Sequence, residues 1–421
     1  MSGLMFLALL VLMGLSVPIA VSLGLASIVA LGTDSRLPFE LLIQRMFVSV
    51  DSFSLLAVPF FILAGELMGT GGISKRLVQL ASAFMGHIAG GLAAVTVLAS
   101  MFFGSISGSS AATVAALGSI LIPAMIAKGY SQRFAASTQA VAGELGHILP
   151  PSIPMILYGV TTGTSIGSMF IAGIIPGILL SGTLIIFVYL FSKYYGYGGE
   201  EKIAWKERFV ILKDSFFALL MPFIILGGIY GGIFTPTEAA AVAVAYALFV
   251  GMFIYKEIKV KDLMKIFSEA GVTTAKIMVI ISTAGLFGWM MTQEMIPQKV
   301  AMLISEFTSS KIVFLIIVNI FLFIVGMFFE NGSSIIILAP ILAPIAESFG
   351  VDPVHFGIIM IVNLAMGMVT PPLGVNLFIA SSIARISLIE MVKGVLPFLV
   401  LLIIHLLLLS YLPVLSLWLV Q

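Results

Sequence analysis

Two short polar sequences interrupt long apolar stretches of this 421-residue chain. GSISGSS runs from Gly104 to Ser110, and ENGSS runs from Glu330 to Ser334. Hydroxyl, amide and carbonyl oxygens at unwound helix ends suit a weakly held hard cation such as Na+, and helix N-termini suit an anion. Irregular backbone at membrane depth is tolerated only beside protein or a water-filled cavity, so we expect both tips to face a site.

Two proline pairs supply further backbone oxygens. Pro150-Pro151 and Pro371-Pro372 each interrupt an apolar segment. A proline removes a backbone donor and clashes with the preceding turn, which frees carbonyl groups at the break. One tip and one break in each half predict two cation sites that flank one substrate. The structural alternative is that small Ser and Gly residues only permit close helix packing.

The candidate site residues lie at these tips and breaks. The predicted cation ligands are Ser105, Ser107, Gly108, Ser109, Gly146, Ile148 and Leu149 in the first half, and Asn331, Gly332, Ser333, Gly367, Val369 and Thr370 in the second. The residues expected to bind the substrate are Ser110, Pro151, Ser152, Ser334, Pro372 and Asn376.

The two halves of the chain repeat each other. With a shift of 221 residues, five Gly and Pro positions coincide: Gly146 with Gly367, Pro150 with Pro371, Pro151 with Pro372, Gly173 with Gly394, and Pro176 with Pro397. Transporters commonly carry such internal structural repeats. The repeat predicts two related halves, each with one re-entrant hairpin.

Composition places the chain in a membrane. Apolar residues make up 60% and charged residues only 9%, and the net charge of +1 excludes the basic surface that nucleic-acid binding requires. Because strand alternation is absent, the predicted fold is an all-α polytopic membrane protein in a lipid bilayer. The chain has no cysteine and no GxxxxGK[ST] motif, so thiol chemistry and P-loop ATP binding are excluded.

Charge placement predicts the topology, because loops that keep Lys and Arg are usually cytoplasmic. Five full spans plus one hairpin in each half would invert the second half. With linker 196–213 inside, four of the 20 Lys and Arg residues remain outside, together with both termini: Arg36, Arg45, Lys299 and Lys311. The predicted units are a first inverted repeat over 1–195 with hairpin 88–127, the cytoplasmic linker 196–213, and a second inverted repeat over 214–421 with hairpin 311–347.

Several ionisable residues fall inside predicted spans, where they are costly and therefore candidates for function. Glu144 and His147 precede the first break, and either a proton relay or structural hydrogen bonding would explain them. Glu330 could tune cation affinity or cap the hairpin helix. Glu66 could simply approach the membrane interface. Glu238 reads as part of a capping box in Thr-Pro-Thr-Glu, without a transport role.

Two moderately amphipathic stretches, 38–50 and 259–268, occupy equivalent places in the halves. They predict horizontal arm helices at the membrane interface, separate from the span expected at 273–291. Ordinary polar loops are the alternative. Arm helices of this kind would brace a fixed scaffold while the hairpin-bearing part moves.

Four long motifs together resemble one transporter family. MFFGSISGSSAATVAALG, GELGHILPPSIP, MFFENGSSIIILAPILAP and GMVTPPLGVNLF resemble the large membrane subunit of tripartite ATP-independent periplasmic (TRAP) transporters. The resemblance extends over essentially the whole chain. It implies a scaffold, an elevator-type transport domain and a fold similar to that of the divalent anion/sodium symporters.

The resemblance also implies a function and partners. It implies Na+-driven symport of an organic anion, such as a C4-dicarboxylate or sialic acid, across the bacterial inner membrane. It implies a small four-helix membrane subunit, expected here as a separate polypeptide, and a periplasmic substrate-binding protein. One Na+ would bind at Ser105 to Ser109 with the first break, and the second at Asn331 to Ser333 with the second break.

Alternatives to this function remain at the level of sequence. A stand-alone Na+/dicarboxylate symporter would need no binding protein. A membrane-embedded serine hydrolase would use Ser109 or Ser333 with His147. A channel is disfavoured, because two crossed hairpins suggest alternating occlusion more than an open pore.

Overall fold

The computed structural model describes residues 2–32, 38, 40–199 and 201–420, and this part of the chain is helical without a strand. Arg36, which we expected outside, and residue 39 of the predicted first arm lie outside the described residues. The helices are α1 Ser2–Gly14, α2 Ile19–Leu31, α3 Glu40–Val50, α4 Ala57–Thr70, α5 Ile73–Met85, α6 Gly91–Ser107, α7 Ser110–Ala127, α8 Gln132–Gly143, α9 Leu145–Ile148, α10 Ile153–Thr162, α11 Ile166–Tyr195, α12 Trp205–Asp214, α13 Phe216–Tyr230, α14 Pro236–Phe249, α15 Val260–Gln293, α16 Ile296–Phe307, α17 Lys311–Phe328, α18 Asn331–Ser348, α19 Pro353–Gly367, α20 Val375–Ala384, α21 Leu388–Tyr411 and α22 Val414–Leu417. A 3-10 turn at Phe53–Leu56 precedes α4, and a π-helical turn at Val250–Ile254 extends α14.

The apolar helices have the dimensions of membrane spans. Among the described residues, eight helices are long and apolar enough to cross a bilayer, and the bent pair α12 and α13 would make a ninth. Their outward faces carry large exposed apolar side chains, as lipid contact requires. The sequence-based prediction of an all-α polytopic membrane protein is therefore confirmed.

The two segments predicted as hairpins are each a pair of helices joined by a short turn, and the tips are shorter than the sequence indicated. The first consists of α6 and α7, and only Gly108 and Ser109 lie outside the helices. The second consists of α17 and α18, with Phe329 and Glu330 at the tip. Most of the polar tip residues are therefore helical, because Ser109 and Glu330 cap the second helix of each hairpin and start it early.

Both predicted helix breaks also form. The first separates α8 and the single turn α9 from α10, and the second separates α19 from α20. Ser152 starts α10 by accepting a hydrogen bond from the backbone N–H of Met155 (3.4 Å). The helix breaks therefore coincide with the double prolines, as the loss of backbone donors predicts.

Three features differ from the sequence-based expectation. The predicted arm 259–268 is not separate from its span, because α15 runs through both without a break. The amphipathic helices α5 and α16 connect α4 to the first hairpin and α15 to the second, and the sequence did not indicate them. The linker 196–213 is partly helical, since α12 begins within it. The first arm is helical as α3, which buries none of its residues.

The helices pack into two groups. In one, α15 packs against α2, α3 and α4, and α4 packs against α14. In the other, the hairpins pack against helices that follow the breaks, and the pairing crosses between the halves. Hairpin helix α7 packs on α20, and hairpin helix α18 packs on α10. The groups meet where α4 contacts α6 and where α15 contacts α18.

Candidate functional site

The tip of the first hairpin is a tight turn rich in hydroxyl groups. Gly108 has φ +63°, a left-handed conformation that favours glycine. Ser109 caps α7, accepting from the N–H of Ala112 (3.4 Å), while its carbonyl accepts from the hydroxyl of Thr113 (2.7 Å). The hydroxyl of Ser107 lies 3.2 Å from that of Thr113. Three hydroxyl groups and a carbonyl thus converge at the start of an 18-residue helix.

The first tip packs directly on the first break. A Cβ atom added to Gly104 would lie 2.8 Å from the backbone N and Cα of Gly146, and one added to Gly146 would lie 2.6 Å from the carbonyl oxygen of Ser109. Only glycine allows this approach. The N–H of Ile153 donates to the carbonyl of Gly108 (3.2 Å), which holds the tip against α10.

The second hairpin repeats the backbone contact. A Cβ on Gly367 would lie 2.2 Å from the carbonyl carbon of Gly326, so α17 and the end of α19 also touch through glycines. The N–H of Leu373 donates to the carbonyl of Met327 (3.0 Å). At the tip, a carboxylate oxygen of Glu330 accepts from both the backbone N–H (3.0 Å) and the hydroxyl (3.2 Å) of Ser333. The capping interpretation of Glu330 is therefore confirmed.

Side-chain hydrogen bonds connect each hairpin to the other half of the chain. The amide Nδ2 of Asn376 donates to the hydroxyl of Ser110 and to Oε1 of Glu144, both at 2.5 Å. The amide Nδ2 of Asn331 lies 3.1 Å from Nδ1 of His147. All of these side chains are buried. Glu144 and His147 thus make structural hydrogen bonds that join the halves.

A cavity of about 900 Å³ lies between the two groups of helices. Both hairpin tips open on it, and α4 and α15 form the opposite side. Its polar and charged lining residues are Glu66, Thr70, Ser107, Ser109, His147, Thr273, Lys276, Glu330 and Ser333. Four alanines of one face of α7 and apolar residues of α10 and α15 complete the wall. The cavity is large enough for a small organic molecule with its hydration water.

The structure brings only some of the predicted residues to this cavity. The predicted cation ligands that line it are Ser107, Gly108, Ser109, Gly332 and Ser333. Of the predicted substrate residues, none lines it. Ser110 and Asn376 bind each other, Ser152 donates to the carbonyl of His147 (2.6 Å), and Ser334 donates to that of Glu330 (3.1 Å). These hydrogen bonds use the polar groups that we had expected to meet substrate.

The remaining predicted residues lie behind the cavity wall. The hydroxyl of Ser105 donates to the carbonyl of Phe102 (2.8 Å), and that of Thr370 donates to the carbonyl of Met366 (2.8 Å). The carbonyl of Ile148 lies against Gly173 of α11. The other predicted site residues do not line the cavity either. Pro372 is exposed but lies outside the lining. The rest are buried: Gly146, Leu149, Pro151, Asn331, Gly367 and Val369.

The sequence-based site list missed the charged wall of the cavity. Glu66 and Lys276 are contributed by α4 and α15, outside the hairpins. Helical spacing could have indicated these two faces. Ile62, Glu66 and Thr70 share one face of α4. Thr273, Lys276 and Ile280 likewise share one face of α15. That these two faces line the same cavity depends on long-range packing.

The donor types near the tips fit Na+ better than a transition metal. Within the described part of the chain, no cluster of three His, Cys, Asp or Glu residues occurs. Apart from the Glu330 carboxylate, which caps α18, the oxygens here are neutral hydroxyl, amide and carbonyl groups, which suit a hard, weakly held cation. Asn331 Oδ1 is buried and has no hydrogen-bond partner among the described residues, so it can serve as a cation ligand. The backbone cradle at Gly146 fits the same role in the first half.

Comparison with known proteins identifies the family. Residues 6–415 match the model of the tripartite ATP-independent periplasmic transporter, DctM component. The chain belongs to this family. It is 44% identical to the C4-dicarboxylate TRAP transporter large permease protein DctM of Pseudomonas aeruginosa, over 94% of this chain and 93% of that protein. It is 38% identical to the sialic acid TRAP transporter large permease protein SiaM of Vibrio cholerae, over 88% of this chain and 87% of that protein.

A third DctM-family relative is longer than this chain. The isethionate TRAP transporter permease protein DctMQ of Oleidesulfovibrio alaskensis is 44% identical over 94% of this chain. The matched region covers 63% of the length of that protein. The YdaH transporter of Alcanivorax borkumensis has a similar fold, with a TM-score of 0.64 over 88% of this chain and 86% of that chain, at 15% identity. The fold of a DctM protein is thus similar to that of a solved transporter.

Family membership decides between the alternatives of different class. The relatives are transporter permeases, so this DctM-family chain is a TRAP large permease of the inner membrane and not an enzyme. The hydrogen bonds agree, since the ring of His147 bonds to Asn331 and not to Ser109 or Ser333. The hydrolase hypothesis is therefore wrong.

Proposed function

We propose that this chain carries an organic acid anion across the bacterial inner membrane by Na+-coupled symport. The substrate would be a C4-dicarboxylate or a sialic-acid-like anion, the classes that the names of its relatives give. The observation that carries the proposal is the cavity on which both hairpin tips open. A substrate there contacts both halves at once, which a coupled transporter requires.

The cavity offers the chemistry for an anion at the tips. Helix α7, which is 18 residues long, begins at it with a neutral Ser109 cap, whereas the N-terminus of α18 already holds the carboxylate of Glu330. The N-terminus of a helix carries partial positive charge and free backbone N–H groups, which stabilise an anionic group. Hydroxyls of Ser107 and Ser109 can donate further hydrogen bonds there. Na+ bound behind the tips would add positive charge on the side of the hairpins.

Two Na+ sites are proposed, one behind each tip. The first would use the residues at Ser105 to Ser109 with Gly146, Ile148 and Leu149. The second would use Asn331 to Ser333 with Gly367, Val369 and Thr370. Support comes from the buried free oxygen of Asn331 and from the glycine contacts that bring each broken helix against a hairpin. Bound Na+ would supply charge that draws an anion to the tips, and its release inside would couple uptake to the Na+ gradient across the membrane.

An elevator motion is the proposed transport step. The hairpin group would move as one body against α4 and α15, since the hairpins are tied to the broken helices by backbone hydrogen bonds. At the contact between the groups, a Cβ on Gly65 would lie 3.5 Å from Cα of Ser107, so the backbones approach closely with little side chain between them. Small residues at such a contact let helices slide.

The proposed assembly includes two partners. A small four-helix membrane subunit would pack against the exposed faces of the group that contains α4 and α15, which stays fixed during the proposed motion. A periplasmic binding protein would deliver the substrate. Both termini are proposed to lie in the periplasm, with most Lys and Arg residues on the cytoplasmic side. The two halves would then be inverted repeats with one hairpin entering from each face.

Uptake into proteoliposomes tests this function. The vesicles would hold this chain and its small subunit, and the probes would be radiolabelled succinate, sialic acid and isethionate, with and without a Na+ gradient and the binding protein. Uptake of one anion that needs both is the expected result. Uptake that needs Na+ alone would favour a stand-alone symporter, and Na+-independent uptake would overturn the coupling.

A further inference from the structure

The cavity wall opposite the hairpins carries one positive charge. Lys276 is the one Lys or Arg among the described residues that line the cavity. It lies on α15, on the face that also presents Thr273 and Ile280. Lys276 is exposed and lines the cavity, so a solute in the cavity can reach it. A Lys within an apolar span is costly, which makes a functional role the default hypothesis.

The charge of Lys276 is not neutralised by the protein. In the part of the chain that the structure describes, Lys276 forms neither an ion pair within 4.0 Å nor a hydrogen bond. The two carboxylates that line the cavity, Glu66 on α4 and Glu330 at the second hairpin tip, are not its ion-pair partners. Glu330 instead binds Ser333 at the tip. The ammonium group is therefore available to an anion that enters the cavity.

A second lysine on the same helix shows the ordinary alternative. Lys265 lies about three turns earlier on α15, is also exposed, and pairs with Glu269 at 3.8 Å. It does not line the cavity. A lysine kept only for topology or solubility would resemble Lys265, whereas Lys276 faces the cavity without a partner. The two residues differ in environment and share their helix and charge.

We propose that Lys276 is a substrate-binding residue that contacts an anionic group of the transported solute, a carboxylate or sulfonate, from the side opposite the hairpins. The inference deepens the proposed function and rests on it. The first tip holds one end of the anion by the N-terminus of α7 and by hydroxyls, and Lys276 attracts another anionic or polar end. As a flexible point charge, a lysine tolerates a hydrated or shifting partner better than a rigid bidentate group does. That behaviour suits a contact made across a boundary that moves.

The absence of cysteine from this chain gives a direct test. Lys276→Cys introduces a single thiol, and 2-aminoethyl methanethiosulfonate converts it to a lysine-like ammonium by forming a disulfide and releasing methanesulfinate. The sulfonatoethyl reagent leaves a negative charge of similar size instead. Lys265→Cys, treated in the same way, is the matched control.

The readout is KM for whichever of succinate, sialic acid and isethionate the unaltered chain takes up with its small subunit and binding protein. We expect Lys276→Cys to raise KM about tenfold, the value of one charged hydrogen bond. The aminoethyl reagent should restore most of the affinity and the sulfonatoethyl reagent should lower it further. Na+ half-saturation should stay within twofold. Lys265→Cys should respond to neither reagent.

Two failures are distinguishable. The proposed function fails if the unaltered chain takes up none of the three anions. It also fails if the chain takes up an anion without Na+. If it takes up an anion with Na+ and the KM of Lys276→Cys matches that of the unaltered chain under both reagents, only the role of Lys276 fails. If the KM of Lys265→Cys responded to the two reagents in the same way, the effect would come from surface charge in general. That result would also overturn the proposal.

Discussion

Replacing Gly104 by alanine should separate the first hairpin from the first helix break. The new Cβ would start 2.8 Å from the backbone of Gly146. Carbon atoms pack best at about 3.5 Å or more, so the two backbones must move apart by roughly 0.7 Å. Cation–ligand distances tolerate only about 0.2 Å. A Na+ site that combines the tip with Gly146 should therefore weaken, and we expect half-saturation by Na+ to rise about tenfold.

The substitution should also change stability, and this effect must be measured separately from the change in Na+ dependence. Overpacking costs about 1–3 kcal/mol, and the better helix propensity of alanine returns up to about 1 kcal/mol. Uptake measured against Na+ concentration in proteoliposomes, with thermal unfolding alongside, separates the two effects. Gly182→Ala is the matched control, because Gly182 lies within α11 with no atom in 4 Å of an added Cβ. A folded Gly104→Ala transporter with half-saturation within twofold of the unaltered chain would refute the reasoning.

Three further substitutions test individual contacts. Asn376→Ala removes the hydrogen bond from Asn376 to Glu144 and should lower the free energy of unfolding by about 1–3 kcal/mol, measured as a lower melting temperature. An unchanged melting temperature would show that this hydrogen bond does not contribute to stability. Glu330→Ala removes the cap of α18 and should cost about 0.5–2 kcal/mol, while Glu330→Ser keeps a capping hydroxyl and should cost less; equal losses would exclude capping. Glu238→Ala breaks the capping box with Thr235 and should cost about 1 kcal/mol without altering uptake; a change in KM would contradict its purely structural role.

Local signals in the sequence were sufficient to predict the hairpins and the breaks. Glycine, serine and paired prolines act on the backbone where they stand, so the tips at Gly108 and Glu330 and the gaps after Ile148 and Gly367 appear close to their predicted positions. The boundaries shifted because Ser109 and Glu330 cap their helices, and a cap extends a helix into polar sequence that looks like a loop.

Two other features were harder to predict from the sequence: the uninterrupted course of α15 and the amphipathic helices α5 and α16. The charged stretch at the start of α15 resembles a separate arm, yet no proline divides it from the span, and the helix continues. Helices α5 and α16 are short and amphipathic, and their polar faces resemble loops between spans. Their helical state depends on packing against α6 and α18.

The site could be predicted only as far as its local parts. Serines at the tips and glycines at the breaks are readable, because each belongs to one motif. The bonds of Asn376 to Ser110 and of Asn331 to His147 join residues of opposite halves, and they follow from the crossed packing of hairpins on broken helices. The same long-range packing decides that Lys276 faces the cavity.

Coupled flux is the most direct test of the central claim that Na+ and an organic anion move together through this cavity. Proteoliposomes with the chain and its small subunit would receive an inward gradient of the transported anion, with binding protein outside and equal Na+ on both sides. The account predicts that radioactive Na+ accumulates inside while the anion enters, and that accumulation stops when the anion is omitted. Anion entry without movement of Na+ would contradict it.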